Sequence, residues 1–533
     1  MNQTRAESRS FSSVWTRILL IGGIAAGGVY LWMMMRGLSL DTVVAIPSDD
    51  AFYYYKIARN ILLGRGCSFD GIAPTNGFHP LWMICLLPIF YLGGPNLDMP
   101  VRLVLGLQGL LAVAGIVLIY RFAERHIGPG TGKLASTICC LPVISNAMIN
   151  GMETGLLLFA IIVLLWLCWE WRIHDLRTGT GSSLLFGMVL GGIVLARLDS
   201  VFIVSAAIFM ASISALVDRM GVKTILWRLL ALCTGLATLV TPYLVWNMAS
   251  FGRLMPVSGM VKSTFPAFRT SLSFQEDMAV GAVLSVALVI LAIMVIIGEY
   301  RRGQGRSTIH SPVIFLSLGC VLHYIHAFLF LDWGVYWWHF SVSALVLAVV
   351  LAAVAEQVTA SCPRVRRVVY PVLIIIVLGM AVSTHIHILQ SKYRQHREWL
   401  AAAQWAGRNT PPNTIFGIKD AGLFGYFSDR PTINLDGKAN SFQYQQYVAS
   451  DNIPEFLRQV NVTFLADIHA RYQEGKSQIH IARPNKSDAV LQLSQADEVY
   501  RSAPIPTQSS RLARSTQAHV AIWRLPHDRG LVK

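Results

Sequence analysis

A succession of apolar runs, many of them near the length needed to cross a bilayer, most constrains what this chain can become. They fall at 14–35, 79–91, 101–122, 133–149, 154–171, 183–196, 201–217, 228–248, 278–298, 312–331, 339–358 and 368–388. About 20 apolar residues are needed for an α-helix to cross the hydrocarbon core, where every backbone polar group must be satisfied internally. With 54% hydrophobic and 14% charged residues, the chain reads as a polytopic α-helical membrane protein. Its net charge of +15 does not point to nucleic acid. The basic residues sit largely in short loops between apolar runs, where they set orientation.

Those loops predict the topology. Arg5, Arg9 and Arg17 place an N-terminal arm, 1–13, in the cytoplasm, so 14–35 crosses outward and stays as an anchor rather than a cleaved signal. The run 79–91 is short and holds Pro88, which suits a re-entrant or interfacial helix, with a short tilted span as the alternative. If it does not cross, Arg121, Arg125 and Lys133 lie inside, as do Arg172 with Arg177 and Arg219 with Lys223 and Arg228. The same holds for Arg301, Arg302 and Arg306, and for Arg364, Arg366 and Arg367. Counting it as a crossing would invert every later loop. About 11 spans follow, in a module over 14–388 with an external loop at 36–100.

Beyond 388 the composition becomes that of a soluble domain, and the topology puts 389–533 outside. A helix at 399–408 stops before Pro411 and Pro412, since a proline disfavours helical backbone in the residue preceding it. Strands are expected at 414–418 and 463–467 and a helix at 453–460, giving an α/β domain with a small sheet. The stretch between them holds TINLDGKAN, with Asn434, Asp436, Lys438 and Asn440. It reads either as a turn or as a polar loop folded back over the membrane cavity. The tail at 504–518 is polar and expected to be flexible. The eight cysteines are scattered, with no metal-ligand spacing.

The stretch 47–82 stands apart. Ser48, Asp49 and Asp50 occupy an N-cap position, and 51–63 suits an amphipathic interfacial helix, with Phe52, Tyr55, Ile57, Ile61 and Leu62 apolar and Lys56 and Arg59 polar. Gly64, Gly66, Gly71, Pro74 and Gly77 then break the chain into loops. Adjacent carboxylates at a membrane surface are costly unless solvated or used; the plain alternative is a helix cap beside a solvated acid.

The strings DDAFYYYKIARN, LGRGCSFDG and TNGFHPLW resemble the first external loop of polyprenyl-phosphate-sugar-dependent glycosyltransferases of the GT-C fold. The likeness is nearest in style to bacterial arabinofuranosyltransferase-like members and more distant to protein O-mannosyltransferases and lipid A aminoarabinose transferases. It is specific over this loop and looser elsewhere. It implies a multi-pass protein of the bacterial inner membrane with its active site and C-terminal domain on the periplasmic side. An acid of this loop would be the general base, Asp49 or Asp50, with Asp50 preferred and Asp49 capping the helix or orienting the acceptor.

The other candidates follow from that chemistry. Glu153 in NGMETGLL suits an N-cap, while the resemblance implies acceptor binding. Asp49, Asp50 and Glu153 together leave a divalent cation, Mg²⁺ or Mn²⁺, open, though nothing demands one. Arg253 and Lys262 in the loop containing PVSGMVK are external cations against the topology rule. They suit either lipid headgroups or a donor phosphate. Arg197, in ARLDS, joins that phosphate set or forms an ion pair with Asp199. Asn76 and His79 end the loop, and Tyr336, Trp337 and His339 lie in an aromatic cluster, WGVYWWH, suited to an interface or to stacking on sugar. With Asn434, Asp436 and Asn440 these complete the substrate set. The partners expected are a polyprenyl-phosphate sugar, a glycan, lipid or protein acceptor, and the bilayer. A flippase of lipid-linked glycans is disfavoured because no inverted repeat or pair of interrupted helices is evident. A non-catalytic glycan-binding protein remains the third reading.

Overall fold

The computed structural model describes residues 28–269, 276–301, 312–359, 363–470, 476–483, 486–505 and 518–525. The N-terminal arm, most of the first apolar run, Arg302 and Arg306, and most of the 504–518 tail lie outside the described residues. Among those described, six helical segments are long and apolar enough to cross a membrane: Asp98–His126, Leu198–Val217, Val222–Phe251, Pro312–Phe330, Trp337–Thr359 and Arg367–Asn409. Four shorter apolar helices accompany them, at Pro80–Gly93, Thr154–Glu170, Thr180–Ala196 and Met278–Met294. The 14-residue Pro80–Gly93 helix rises only about 21 Å, short of the hydrocarbon thickness.

Two readings of the sequence need correction. The run 133–149 is not one helix but two, Thr131–Ile138 and Pro142–Met148. Pro142 lacks an N–H and forces Leu141 to extended backbone (ψ 141°), which ends the first helix and starts the second. Conversely, no break separates the last apolar run from the helix expected at 399–408. One 47-residue helix, Pro363–Asn409, carries the chain about 70 Å from the membrane module into the C-terminal region. Its sequence from 372 to 409 contains no proline to interrupt the ladder.

The C-terminal region holds a five-stranded sheet in the order β2-β1-β3-β7-β6. Its strands are β1 (Phe416–Ile418), β2 (Thr432–Asn434), β3 (Phe464–Ala470), β6 (Glu498–Arg501) and β7 (His519–Arg524). A separate hairpin pairs β4 (Lys476–Arg483) with β5 (Lys486–Ser494). β1 lies parallel to β2 and β3, while β7 runs antiparallel to β3 and β6 to β7. The strands expected at 414–418 and 463–467 and the helix at 453–460 are present.

One apolar core joins the two parts. Phe52 and Tyr55 of the Asp49–Leu62 helix pack on Tyr426 and Phe427 of the C-terminal region. At the opposite end of the helices the basic loops meet each other. Arg125 and His126 pair with Glu170, and Arg177 pairs with Asp218. Among the described residues, the loops holding Arg125 and His126, Glu170 and Arg177, and Asp218 therefore meet at one end, while Glu153, Arg197 and Lys262 gather with the loop at 47–82.

Candidate active site

Adjacent residues on an α-helix point about 100° apart, so Asp49 and Asp50, which open the Asp49–Leu62 helix, face different surroundings. Asp49 turns to the C-terminal region. Its Oδ1 accepts the Leu423 N–H at 2.7 Å and its Oδ2 the Gly422 N–H at 3.1 Å. It thus caps the Gly422–Ser428 helix, not its own, as the sequence had suggested. A Cβ on Gly422 would stand 2.0 Å from the Asp49 carbonyl oxygen, so only glycine permits this approach. Burial, reinforced by Asp420, pushes the Asp49 carboxyl up to about 7. That value would suit a base, but both oxygens are engaged and the group does not line the cleft.

Asp50 does line it. The cleft encloses about 570 Å³, open solvent included. Lys438, from the loop after β2, donates to Asp50 Oδ1 at 3.0 Å and also meets Asp436 Oδ2 at 3.3 Å. Burial opposes ionisation of Asp50, but the charges of Lys438 and Lys262 hold its carboxyl below the usual range. Burial raises Asp436, in contrast, to about 6. The loop's place at the carboxyl ends of two parallel strands is where open α/β sheets gather binding groups. Gly77 lets it dock: a Cβ there would lie 2.2 Å from the Lys438 carbonyl oxygen.

The membrane helices supply the other wall. Gln108 fixes the turn before Glu153 by accepting the Gly151 N–H at 2.8 Å and donating to the Met152 carbonyl at 2.6 Å. Tyr54 donates its hydroxyl to Glu153 Oε2 at 2.8 Å. Arg197 Nη1 lies 3.6 Å and His79 Nε2 3.7 Å from Glu153 Oε1. Arg197 Nε also donates to both oxygens of Asp199, at 2.9 and 3.0 Å, and His323 stands 3.4 Å from Asp199. The Arg197–Asp199 pair is therefore present, with the buried Arg197 set between the carboxylates of Glu153 and the partly exposed Asp199. The His79 Nδ1 accepts the Leu198 N–H at 3.2 Å, which leaves Nε2 to carry the proton of the neutral ring. Burial lowers the pKa of this imidazole.

Lys262 differs from the other cations. It ends the short Val257–Lys262 helix and lines the cleft. Among the described residues no carboxylate lies within ion-pair distance of it. Burial lowers its ammonium pKa, with Asp50 partly offsetting this.

The remaining predicted residues divide. His339 lines the cleft beside Trp338. Asn76 is buried behind it, donating to Asn247 Oδ1 at 3.0 Å and accepting the Val257 N–H at 2.9 Å, so it anchors the start of the helix that carries Lys262. Asn434 donates to the Tyr53 hydroxyl and the Lys419 carbonyl, and Asn440 to the Asn434 carbonyl; both brace the Lys438 loop. Arg253 lies over the Phe442 ring at 5.4 Å, outside the cleft. Tyr336 stacks on Trp338 at 4.5 Å, and Trp337 packs against the helical core. Lys438, Tyr54 and His323 were absent from the predicted set. Only Lys438 had a signal, the polar density of TINLDGKAN.

The carboxylates do not suit a shared cation. Asp49 is committed to backbone N–H groups, Asp50 to Lys438 and Glu153 to Tyr54 and Arg197. Among the described residues no three potential ligands cluster for a metal.

The arrangement of helices joined to a C-terminal α/β region is similar in fold to that of known membrane-protein structures. The likeness is carried by two crystal structures of ArnT from Cupriavidus metallidurans. That of ArnT bound to undecaprenyl phosphate is 14% identical, with a TM-score of 0.51, covering 89% of this chain and 97% of that one. The apo state is 13% identical, with a TM-score of 0.52, covering 91% and 99%. A family model described as a domain of unknown function (DUF8728) matches residues 385–519. No curated protein matches the sequence.

Proposed function

We propose that this protein is an integral membrane glycosyltransferase that moves one sugar from a polyprenyl-phosphate donor to a glycan, lipid or protein acceptor of the cell envelope. The observation that carries this reading is that one cleft holds both the Asp50 carboxylate and the Lys262 ammonium, which among the described residues has no carboxylate within ion-pair distance. A cation left without a carboxylate in a buried cleft is suited to an anionic ligand. The undecaprenyl phosphate bound by an ArnT of the same fold makes a lipid phosphate a reasonable one. The bilayer end that holds the cleft is the external, periplasmic side of the inner membrane in the topology drawn from loop charge.

The chemistry needs one base. The acceptor oxygen bonds to the anomeric carbon as the bond from that carbon to the phosphate oxygen breaks, with inversion. Polyprenyl phosphate departs with the bonding electrons and needs no general acid. The acceptor proton passes to Asp50. A carboxylate held below its usual pKa is a weak base, which suffices when the sugar is cationic in the transition state and proton transfer is late. Lys262 holds the phosphate, while Arg197, already balanced by Glu153 and Asp199, orders that wall of the site.

The test is incubation of the purified full chain, in detergent and in proteoliposomes, with radiolabelled undecaprenyl-phosphate monosaccharides and cell-envelope extract. Transfer of label to an acceptor, dependent on Asp50, supports the reading. Movement of intact lipid-linked sugar across the bilayer without transfer would make the protein a flippase and sink it.

A further inference from the structure

We propose that Lys438 is a positioning residue for Asp50, so that the C-terminal sheet region is a working part of the cleft rather than an appendage to it. The proposal rests on the reading of Asp50 as base. The geometry is a bridge: one ammonium lies 3.0 Å from Asp50 and 3.3 Å from Asp436, and its own backbone N–H donates to Asp436 Oδ1 at 3.0 Å. Asp436 therefore fixes both ends of the lysine. The ammonium also lies 5.5 Å from the centroid of the Tyr53 ring and 5.9 Å from that of the Trp333 ring, a further electrostatic attraction on the charge. Only 10% of the Lys438 side chain is exposed.

The loop's backbone leaves it little freedom. The Lys438 carbonyl is pressed on Gly77, the Thr75 hydroxyl donates to the Asn440 carbonyl at 3.1 Å, and Asn434 accepts the Ala439 N–H. A lysine held this firmly beside a carboxylate does two things. It fixes the direction of the free Oδ2 and keeps the carboxylate ionised as an acceptor hydroxyl arrives and excludes water. The other charged or titratable groups facing Asp50 or the cleft are Lys262, His339, Tyr336, Tyr54, His79, Glu153 and Arg197 from the membrane module, Asp49 beside it, and Asp436 and Tyr53. Among the described residues none of these hydrogen-bonds to the Asp50 side chain, as Lys438 does.

The experiment reads Asp50 directly. Full-length protein in lipid nanodiscs is titrated by infrared difference spectroscopy, with the spectrum of Asp50→Asn subtracted to isolate the Asp50 carboxyl band. Lys438→Met removes the stabilising charge and moves the midpoint up; Lys438→Arg restores it towards wild type. Asp436→Asn keeps the turn, because Asn still accepts the Lys438 N–H, and removes a competing carboxylate, so the midpoint moves down. A residue that merely braced the loop would not produce shifts of opposite sign. The acid limb of donor turnover, followed as sugar released to water from the undecaprenyl-phosphate monosaccharide used as donor, moves with the midpoint. An unmoved midpoint in Lys438→Met overturns the proposal. If that variant does not fold, an unmoved or raised midpoint in Asp436→Asn does so. Shifted midpoints with an unmoved acid limb support the Lys438–Asp50 pair and overturn instead the assignment of Asp50 as base.

Discussion

Substituting each of the two adjacent acids by Asn should separate catalysis from docking. Asp50→Asn keeps the size of a side chain that faces the cleft but cannot take the acceptor proton. General-base catalysis contributes about 10²–10⁴-fold, or about 2.7–5.4 kcal/mol at 1.36 kcal/mol per decade. Sugar transfer should fall by that factor while the lipid-phosphate affinity set by Lys262 survives. Asp49→Asn should do the reverse. Its two oxygens accept the Gly422 and Leu423 N–H groups, and an amide can supply only one acceptor there, turning an NH₂ against the second donor. One charge-assisted hydrogen bond is lost, about 1.5–3 kcal/mol. The C-terminal region should become more protease-sensitive and the melting temperature lower. Turnover is to be measured with radiolabelled donor and docking by limited proteolysis and thermal melts in detergent. If Asp49→Asn is inactive yet normally docked, and Asp50→Asn is active, the roles assigned from the geometry are reversed. If both transfer sugar at wild-type rates, this cleft is not the catalytic centre.

Lys262→Ala should weaken binding of undecaprenyl-phosphate sugar by about 1.5–3 kcal/mol, as for loss of a hydrogen bond between charged groups; an unchanged affinity in a direct binding titration would remove Lys262 from the phosphate site. Because burial lowers the Lys262 pKa below the ordinary lysine value, its charge is lost at a lower pH than that of a free lysine. Donor affinity should therefore fall on the alkaline side, and Lys262→Arg, which stays charged, should flatten that limb in the same titration. Gly77→Ala places a methyl 2.2 Å from the Lys438 carbonyl oxygen and should cost about 1–3 kcal/mol in overpacking. The readouts are reduced turnover and faster cleavage of the C-terminal region, and a fully active variant would show that the loop yields. Single cysteines at Ser450 and Arg364, both exposed, in a cysteine-free background should label from opposite sides of the membrane, Ser450 from the periplasm. Labelling of both from one side would refute the topology.

The sequence by itself determined the membrane character and the meeting of the described basic loops at one end of the helices. Both follow from local properties, runs of apolar residues and the charge of short loops, which need no knowledge of packing. Periodicity and turn residues also disclosed the helix at 51–63, strands β1 and β3, and the acidic pair with its loop. Tertiary structure decided what those acids do. Asp49 and Asp50 are chemically identical neighbours, and only the 100° step of the helix, with Gly422 on one side and the cleft on the other, gives them different partners. Lys438 lies far along the chain from Asp50, and no local pattern links residues that meet through the docking of a glycine on a carbonyl. Asn76 looked like a ligand-binding residue because it is polar in a loop, yet packing made it the anchor of the Lys262 helix. The long Pro363–Asn409 helix was hidden for the opposite reason. Hydropathy falls where the helix leaves the apolar segment, but backbone hydrogen bonding is indifferent to that change and continues until Pro411 and Pro412 approach.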